Sequence, residues 1–392
     1  MEKAVILSAV RTPVGSFQGL YKDLPAPKLG AIAIKEAVKR AGVPASDIEE
    51  CIMGEVLTAG VGQAPARQAA IFAGLNNSTA CLTINKVCGS GLKSVMLAAD
   101  AIALGNIKFA VAGGQENMSL APHLLENSRS GYRMGPGTIT DSMVKDGLWD
   151  PYNNFHMGTA AELCVKEYKM TREEQDAFAI NSYKKAQTAI EKGAFKNEII
   201  GVEITDRKGT TLIEKDEEPG KAMFDKIPGL RPAFDPKEGT ITAANASKIN
   251  DGAAALVLTS ESEANKRGLK PLAKIVAHAT FAQDPKWFTT APVGAIKSAL
   301  NKANLKVSEI DLWEINEAFA NVTMAAQKEL EIPHEKVNVH GGAVAIGHPI
   351  GASGARILTT LVHALQTHGK RYGLATLCIG GGEAVALIIE KA

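Results

Sequence analysis

The chain lacks an excess of charge of either sign and any long apolar run, and each absence excludes a class of function. Its 43 lysine and arginine residues almost balance 42 aspartate and glutamate residues, which leaves a formal net charge of +1. Such a chain has no broad field to attract nucleic acid or an anionic membrane surface, so an anionic substrate must be held by local groups. No apolar run approaches the roughly 18 residues of a membrane span.

Cysteine is also scarce. The 392 residues include five cysteines without framework spacing, which argues against a disulfide-built secreted domain. The first eleven residues are too short in their apolar part for a signal peptide and predict a strand. We therefore expect a cytoplasmic protein. The histidines lack metal-ligand spacing, and no Gly-x-Gly-x-x-Gly follows an early strand, so we expect neither a metal nor a dinucleotide cofactor.

Three glycine-rich turns carry the chemistry. Cys88 follows an apolar run and precedes a helical pattern from Leu92, while His348 and Cys378 lie in or beside later glycine turns. A helix N-terminus favours a thiolate, and glycines let a substrate approach the backbone closely. Two thiols and one imidazole on such turns predict acyl-transfer chemistry. The other cysteines have no glycine cradle and are expected to be small buried side chains, namely Cys51, Cys81 and Cys164.

The sequence resembles itself at an offset of about 262 residues. The matching pairs are 35–41 with 297–303, 46–49 with 308–311, 90–91 with 353–354, and more loosely the glycine pair 113–114 with 380–381. Each half alternates predicted strands and helices, which favours mostly parallel sheets. Residues 119–249 have no partner and predict an inserted loop-rich domain, within which Thr171 and Glu174 form the capping box of a helix. The predicted domains are 1–118 plus 250–268, 119–249, and 269–392.

Several motifs together resemble the thiolase family from end to end. They are Val87-Cys88-Gly89-Ser90-Gly91, 113–119, His156-Met157-Gly158, Asn245-Ala246-Ser247, 250–254, Asn316-Glu317-Ala318-Phe319, 347–354 and Cys378-Ile379-Gly380-Gly381-Gly382. The resemblance implies an α/β thiolase fold, with two duplicated βαβαβαββ halves stacked in five layers and a loop domain inserted in the first half. The His-Met-Gly stretch and the length are similar to the short-chain acetyl-CoA acetyltransferase branch.

Four positions depart from the family pattern. Gln115 stands where methionine is common, His340 where asparagine is common, and Glu383 where a neutral residue is usual. Around residues 219–220 the chain lacks an arginine that some relatives offer to the nucleotide, and Lys221 is the candidate substitute. None of these positions belongs to the catalytic set.

The resemblance implies a reversible Claisen condensation of two acetyl-CoA molecules in two steps, as covalent catalysis predicts. The Cys88 thiolate attacks a thioester, with His348 as base because imidazole titrates near neutrality. Cys378 then removes the α-proton of the second acetyl-CoA, and the enolate oxygen lies against His348 and a water held by Asn316. A second oxyanion hole uses the backbone N–H groups of Cys88 and Gly380.

The resemblance also assigns a pantetheine channel and acyl pocket. These residues are Leu148, His156, Met157, Phe234, Ala243, Ser247, Ala318 and Phe319. Small residues leave room for a narrow pantetheine arm, and Met157 is expected to lie over the acyl group. Coenzyme A thioesters enter as substrates, with no separate cofactor. The family forms dimers and tetramers, so a homotetramer is expected, with the 128–140 loop as a candidate contact between dimers.

Three alternatives remain open. A degradative 3-ketoacyl-CoA thiolase would accept longer chains. A decarboxylating or HMG-CoA-type condensing enzyme would use a different partner set, and the cysteine at 378 argues against it. A catalytically silent carrier of the same fold would lack one of four residues that are all present here, Cys88, Asn316, His348 and Cys378.

Overall fold

A computed structural model describes residues 2–207 and 209–392. The strands are β1 (Ala4–Arg11), β2 (Gly15–Ser16), β3 (Glu50–Gly54), β4 (Ala80–Ile84), β5 (Phe109–Asn117), β6 (His123–Leu124), β7 (Thr140–Asp141), β8 (Trp149–Asp150), β9 (Phe155–His156), β10 (Val202–Asp206), β11 (Gly209–Ile213), β12 (Asn250–Ser260), β13 (Ala273–Ala282), β14 (Leu312–Ile315), β15 (Tyr372–Ile379) and β16 (Glu383–Lys391). The helices are α1 (Ala26–Ala41), α2 (Pro65–Phe72), α3 (Ser90–Ala103), α4 (Met157–Tyr168), α5 (Arg172–Glu191), α6 (Glu261–Arg267), α7 (Ala291–Ala303), α8 (Ala320–Leu330), α9 (Ala343–Ile346) and α10 (Ser353–Thr367).

One sheet runs through both halves of the chain, in the order β14-β15-β16-β13-β1-β12-β5-β3-β4. The halves join where Val5 and Ile6 of β1 pair with Lys274 and Ala273 of β13. The expectation of mostly parallel pairing is wrong. Parallel pairs occupy only the outer strands of each half, whereas β1, β12, β5 and β13, β16, β15 pair antiparallel. The reason is that β16 returns along β15 through a short turn, and β12 returns along β5 after the inserted region.

The helices complete five layers, as the resemblance implied. Helices α3 and α10 lie in the middle, and their apolar faces share one core with strands of both halves. Helices α1 and α2 cover the outer face of the first half, and α7 covers that of the second together with α8. Because both faces of the central strands are covered, β1 and β12 are buried along their whole length.

The duplication is confirmed at three of its four positions. Segments 35–41 and 297–303 are the ends of α1 and α7, and 46–49 and 308–311 each begin inside an equivalent 3-10 turn, 45–47 and 307–309. Ser90 and Ser353 begin α3 and α10. The fourth match is wrong, because 113–114 lies inside β5 whereas 380–381 forms a turn. A methyl at Gly114 would lie 2.1 Å from the carbonyl oxygen of Gly351, so close packing explains that glycine.

The inserted region contains α4, α5 and short hairpins. The capping box of α5 is confirmed, since the Thr171 hydroxyl accepts from the N–H of Glu174 and the Glu174 carboxylate accepts from that of Thr171. Residues 143–148 form a single π-helical turn. Its 128–140 loop exposes Tyr132, Met134 and Ile139, and its role as an oligomer contact stays a prediction. Within the described ranges, no helix is long and apolar enough to cross a membrane.

Candidate active site

A cavity of about 300 Å³ opens between the inserted region and the two thiol-bearing turns. It is lined by Cys88, Met118, Gly147, Leu148, His156, Met157, Phe234, Ala246, Ser247, Lys248, Ile249, Phe288, Ala318, Phe319, His348, Ile350 and Gly380. Nearly all of the predicted pocket and catalytic residues are therefore brought together. Ala243 instead lies exposed outside this wall, and Asn316 and Cys378 are buried behind it.

The Cys88 turn is held by local hydrogen bonds. Val87 adopts a φ of 45°, which is unfavourable for a β-branched residue and marks a strained strand-to-helix turn. The Asn85 side chain accepts from the Val87 N–H at 2.9 Å. The Ser90 hydroxyl accepts from the Lys86 N–H at 2.8 Å and donates to the Val87 carbonyl at 2.7 Å. These contacts fix Cys88 at the cavity wall, directly before α3.

Desolvation at the cavity wall controls the ionisation of Cys88, although the side chain is still partly exposed. It raises the pKa of the thiol to about 11, although the N–H groups of Gly380 and of Cys88 itself face the sulfur and oppose the rise. The expectation that the turn favours the thiolate is therefore wrong. Desolvation outweighs the two N–H groups, and among the described residues no cation adds to their effect on the sulfur. The same two N–H groups are the predicted oxyanion hole.

His348 is oriented by Ser353. The Ser353 hydroxyl donates to the Pro349 carbonyl at 2.9 Å, so it accepts from Nδ1 of His348, 2.5 Å away. This arrangement places the proton on Nδ1 and leaves Nε2 with a free lone pair. Burial, together with the charge of Arg356, lowers the pKa of His348 to about 3. The ring is thus a neutral base, and its backbone is tied to Asn250 at 2.9 Å.

Asn316 lies beside this imidazole. Its Nδ2 is 3.5 Å from Nε2 of His348, and its main chain continues β14 by bonding to Thr376. Its Oδ1 is buried without a hydrogen-bond partner among the described residues. A buried amide oxygen left in that state is suited to a water molecule or a substrate group. This geometry fits the predicted role of Asn316 in holding a water.

Cys378 lies at the end of β15, fully buried behind the cavity wall. Burial raises the pKa of its thiol far above the ordinary value, and the Cys88 thiol raises it further. The influence of the Cys88 thiol on Cys378 indicates that the two sulfurs lie near each other. Gly380 follows in the turn, where a methyl would lie 3.3 Å from the Met157 sulfur and 3.8 Å from Val87. The second glycine turn therefore packs against the first.

Aromatic residues form the outer wall. The rings of His156 and Phe234 stack with centroids 4.8 Å apart, and Phe319 meets Phe234 edge to face at 6.0 Å. Nδ1 of His156 accepts from the Gly158 N–H and caps α4. A methyl at Gly158 would lie 2.3 Å from the Phe234 ring, so that glycine permits the stack. A narrow apolar channel results, as a pantetheine arm requires.

Several contributing residues were missed by the sequence reasoning. Ser353 lies in one of the family motifs, but nothing in the sequence marks it as the residue that orients His348. Lys248 lines the cavity and donates to the Ala246 carbonyl, and burial lowers its pKa to about 8. Lys86 forms a 2.6 Å ion pair with Glu383, which links the Cys88 turn to the glycine turn after Cys378. Glu383 was visible as a departure from the family pattern, whereas nothing local marked its partner.

Two further expectations concern bound groups. The half-exposed Lys221 donates to Ser16 and pairs with Glu217 at 2.8 Å, and its role as a nucleotide contact stays a prediction. Among the described residues, no group of three or more histidine, cysteine, aspartate or glutamate side chains is arranged to hold a metal ion.

Comparison with known proteins gives a consistent result. The family model described as "Thiolase, N-terminal domain" matches residues 4–262, and the one described as "Thiolase, C-terminal domain" matches residues 269–391. The acetyl-CoA acetyltransferase of Cupriavidus necator is 54% identical and that of Escherichia coli 52%, each covering 100% of both chains. The crystal structure of the Acat5 thiolase from Ascaris suum in complex with coenzyme A is 46% identical, with a TM-score of 0.95 and full coverage of both chains.

Proposed function

This chain belongs to the thiolase family, and we propose that it is an acetyl-CoA C-acetyltransferase that interconverts two acetyl-CoA with acetoacetyl-CoA and coenzyme A. One observation carries the proposal. The Cys88 sulfur, the unprotonated Nε2 of His348 and the N–H groups of Cys88 and Gly380 meet at one apolar cavity. That set contains a nucleophile, its base and an oxyanion hole, which acyl transfer requires.

In the first step, Cys88 attacks the thioester carbonyl and becomes acetylated. The thiol has a pKa of about 11 and the imidazole one of about 3, which disfavours a preformed ion pair. His348 therefore accepts the thiol proton as the carbon–sulfur bond forms, and coenzyme A leaves as its thiol. The carbonyl oxygen gains negative charge against the N–H groups of Cys88 and Gly380. Such donors are worth roughly 10²–10³ in rate each.

In the second step, Cys378 removes an α-proton from another acetyl-CoA. Its raised pKa keeps Cys378 protonated at rest, so this proton must leave before the step. The thiolate that remains is a strong base matched to a weakly acidic carbon, and the thiol supplies the proton in the reverse reaction. The enolate oxygen lies against His348 and a water on Asn316, whose free Oδ1 supports that placement. The carbanion attacks the acetyl group on Cys88 and releases the Cys88 thiolate. This thiolate takes up the proton that Cys378 has gained, which restores the Cys88 thiol and the Cys378 thiolate for the next turnover.

The shape of the cavity supports a short acyl group. Met157 lies directly over the Gly380 turn, and Phe319 and Phe288 close the wall beside it with centroids 6.4 Å apart. We expect thiolysis of acetoacetyl-CoA to exceed thiolysis of 3-ketoacyl-CoA substrates with ten or more carbons by at least about tenfold in kcat/KM. Paired assays at equal enzyme concentration measure this ratio. Equal or faster turnover of the long chain would replace the proposal by the degradative thiolase.

Two substitutions test the division of labour between the thiols. Cys88→Ser is expected to lower acetyl transfer by on the order of 10³-fold or more, because a neutral hydroxyl is a poor nucleophile here. Cys378→Ala is expected to form acetyl-enzyme from acetyl-CoA but not to make acetoacetyl-CoA. Intact-protein mass spectrometry detects the acetyl group, and Cys164→Ser is the control for loss of a buried thiol outside the cavity. Near-native turnover in Cys88→Ser would overturn the mechanism.

The finer properties belong to the same proposal. The reaction uses coenzyme A thioesters as substrates and needs no separate cofactor. All five cysteines are free thiols, which supports the cytoplasm as the working compartment. The exposed 128–140 loop supports assembly as a homotetramer, a dimer of dimers, which light scattering of the intact chain and of a variant with Tyr132 and Met134 changed to serine would test.

A further inference from the structure

A lysine side chain lies in the wall of the catalytic cavity. Lys248 follows Ser247, one of the residues expected to contact pantetheine, and it is partly exposed because it lines the cavity. Its ammonium group donates to the main-chain carbonyls of Ala246 at 3.0 Å and Val344 at 3.3 Å. The same nitrogen lies 5.5 Å from the centre of the Tyr183 ring. No step of the acyl transfer described above uses this cation.

The Val344 carbonyl needs such a donor because of the way its helix ends. Val344 belongs to the four-residue helix α9, and the N–H that would continue the helical pattern onto its carbonyl is that of His348. That N–H donates to Asn250 Oδ1 at 2.9 Å instead, because Gly347 leaves the helical conformation with a φ of 118°. The last carbonyls of a helix require an outside partner, which a lysine can supply. Lys248 therefore caps the helix that leads into the catalytic histidine.

The Ala246 carbonyl belongs to the opposite side of the same wall. The Ser247 N–H donates to the Ala318 carbonyl at 2.9 Å, and Ala246 forms a β-bridge with Phe319, so this segment is fixed to the predicted acyl pocket. Among the described residues, no N–H of the main chain donates to the carbonyl of Ala246 or to that of Val344. Without the ammonium both carbonyls would lose their partner, and an unpaired buried carbonyl costs free energy.

The surroundings of Lys248 keep the ammonium charged at neutral pH. Desolvation lowers its pKa to about 8, and the carboxyl groups of Glu218 and Glu317 oppose that shift. Hydrogen bonds from a charged donor are roughly twice as strong as those from a neutral one. Two main-chain carbonyls and the face of Tyr183 together make an environment that suits a small ammonium ion.

We propose that Lys248 is a positioning residue whose ammonium holds the Ser247 segment against the helix that leads into His348, as a cation built into the chain. This role rests on the proposed function and deepens it. Because one group fixes both sides of the wall, its loss should weaken coenzyme A binding through Ser247 and slow acetylation of Cys88 through His348. A direct contact between Lys248 and a phosphate of coenzyme A would instead affect only substrates that carry the phosphate.

Lys248→Ala and Lys248→Met test this role. Each should slow acetylation of Cys88 by acetyl-CoA at least about tenfold, because hydrogen bonds from a charged donor are lost. S-Acetylpantetheine, which has no phosphate between pantetheine and nucleotide, should show the same loss, and a loss confined to acetyl-CoA would overturn the proposal in favour of a phosphate contact. Lys185→Met is the matched control and should stay within about threefold of the parent rate. Lys185 also donates to two carbonyls, those of His334 and Val337, but lies outside the cavity.

Small cations should replace the lost ammonium group. Lys248→Ala leaves space beside the two carbonyls, so excess methylammonium chloride should raise its acetylation rate at least about fivefold by restoring charged donors. Tetramethylammonium chloride at the same ionic strength has no N–H group and should give no recovery. Lys248→Met fills the space and should not respond to either salt. Equal recovery with both salts, or in both variants, would contradict the proposal, as would a parent-like acetylation rate in both variants without added salt.

A binding measurement separates this role from the proposed function. The parent chain is assayed first, and failure to form acetyl-Cys88 there would overturn the proposed function alone. The role of Lys248 is then decided by titration calorimetry of coenzyme A and of pantetheine with the parent, Lys248→Met and Lys185→Met. Weaker binding of both ligands in Lys248→Met only would support the proposal, and equal affinities in all three chains would overturn it. Urea denaturation of the same variants shows whether any loss comes from unfolding.

Discussion

At the scale of single residues, burial decides which groups of the site carry charge. It raises the pKa of the Cys88 thiol and lowers that of the His348 imidazole, so both groups are neutral. The proton must therefore move while the nucleophile attacks. The reaction then requires a base whose lone pair is oriented toward the thiol, rather than a preformed thiolate. The Ser353 hydroxyl fixes that orientation.

Removing that hydroxyl should disturb the base without touching the substrate. We expect Ser353→Ala to lower kcat about 10²-fold with little change in KM, because Nδ1 loses the acceptor that fixes the tautomer and ring orientation. Acetyl-enzyme formation followed by stopped-flow or quenched mass spectrometry measures the affected step. Ser353→Thr retains the hydroxyl and should recover much of the rate. A kcat within twofold of the parent in Ser353→Ala would contradict this role.

Sequence reasoning predicted those site residues that their immediate sequence neighbours mark, and it failed where residues distant along the chain set the property. Cys88 and His348 were predicted because each lies in its own glycine turn, and Gly380 because of the resemblance; the structure places all three at the cavity. The direction of the Cys88 pKa was wrong because desolvation is set by residues distant along the chain. Ala243, carried over by resemblance, lies outside the wall of the cavity, and its contact with substrate stays a prediction.

At the scale of elements, the crossing of α3 and α10 positions both catalytic turns. Each helix begins within a few residues of its catalytic side chain, and Gly91 and Gly354 let their first turns touch. A methyl at Gly354 would lie 2.2 Å from the backbone nitrogen of Leu92, and one at Gly91 would lie 2.8 Å from that of Ala355. The spacing between Cys88 and His348 therefore depends on the absence of a side chain at Gly91 and at Gly354.

Filling that contact should cost stability and activity together. We expect Gly354→Ala to lower the free energy of unfolding by about 1–3 kcal/mol or more, since overpacking against backbone cannot be relieved by a rotamer change. Acetoacetyl-CoA thiolysis should fall at least tenfold in the fraction that still folds. Urea denaturation and the thiolysis assay measure the two effects.

Gly220→Ala is the matched control, because its added methyl would meet no atom within 4 Å among the described residues. It should change the free energy of unfolding by less than about 0.5 kcal/mol. If Gly354→Ala were equally neutral, the helix crossing would not be as tight as its geometry indicates.

The elements were more predictable than their pairing. The first strand, the capped α5 and the paired helix starts followed from local patterns and the repeat. The direction of the strands did not, because β12 pairs with β5 across the long inserted region, and no local pattern encodes that return. The glycine pair 113–114 was misassigned for a related reason, since Gly114 is needed where the 351 backbone approaches from the other half and Gly113 where β12 lies close.

At the scale of the whole molecule, the halves enclose several buried carboxyl groups. Burial raises the pKa of Glu55 to about 8, that of Glu116 to about 7 and that of Glu314 to about 8. Glu116 links β5 to two other segments. Its carboxylate accepts from the N–H groups of Val56 at 3.0 Å and Leu57 at 3.1 Å in one, and from that of Gly351 at 2.7 Å in the other. The stability of the interior that positions the site therefore depends on pH through several carboxyl groups at once.

These groups set the sign of the pH dependence of stability. A carboxyl with a folded pKa of about 8 and an ordinary value of 4.5, such as Glu55, keeps its proton in the folded chain across the range where the unfolded chain has lost it. Its contribution to stability is complete below about pH 4.5 and declines as pH rises, with a limit of about 1.4 kcal/mol per pH unit for one group. We expect the free energy of unfolding to fall between pH 5 and 8.

Glu55→Gln isolates one such group. The Gln115 amide donates to the Glu55 carboxyl at 2.6 Å, and an amide oxygen at position 55 can accept the same bond without titrating. We expect this variant to lose up to about 1 kcal/mol per pH unit of the downward slope between pH 5 and 7. Urea denaturation at pH 5, 6, 7 and 8 measures the slope, with Glu203→Gln, at an exposed position of β10, as the control for removing one negative charge. If Glu55→Gln kept the parent slope, the buried carboxyl would be ionised in the folded chain, and the pH response would have to come from the other buried acids.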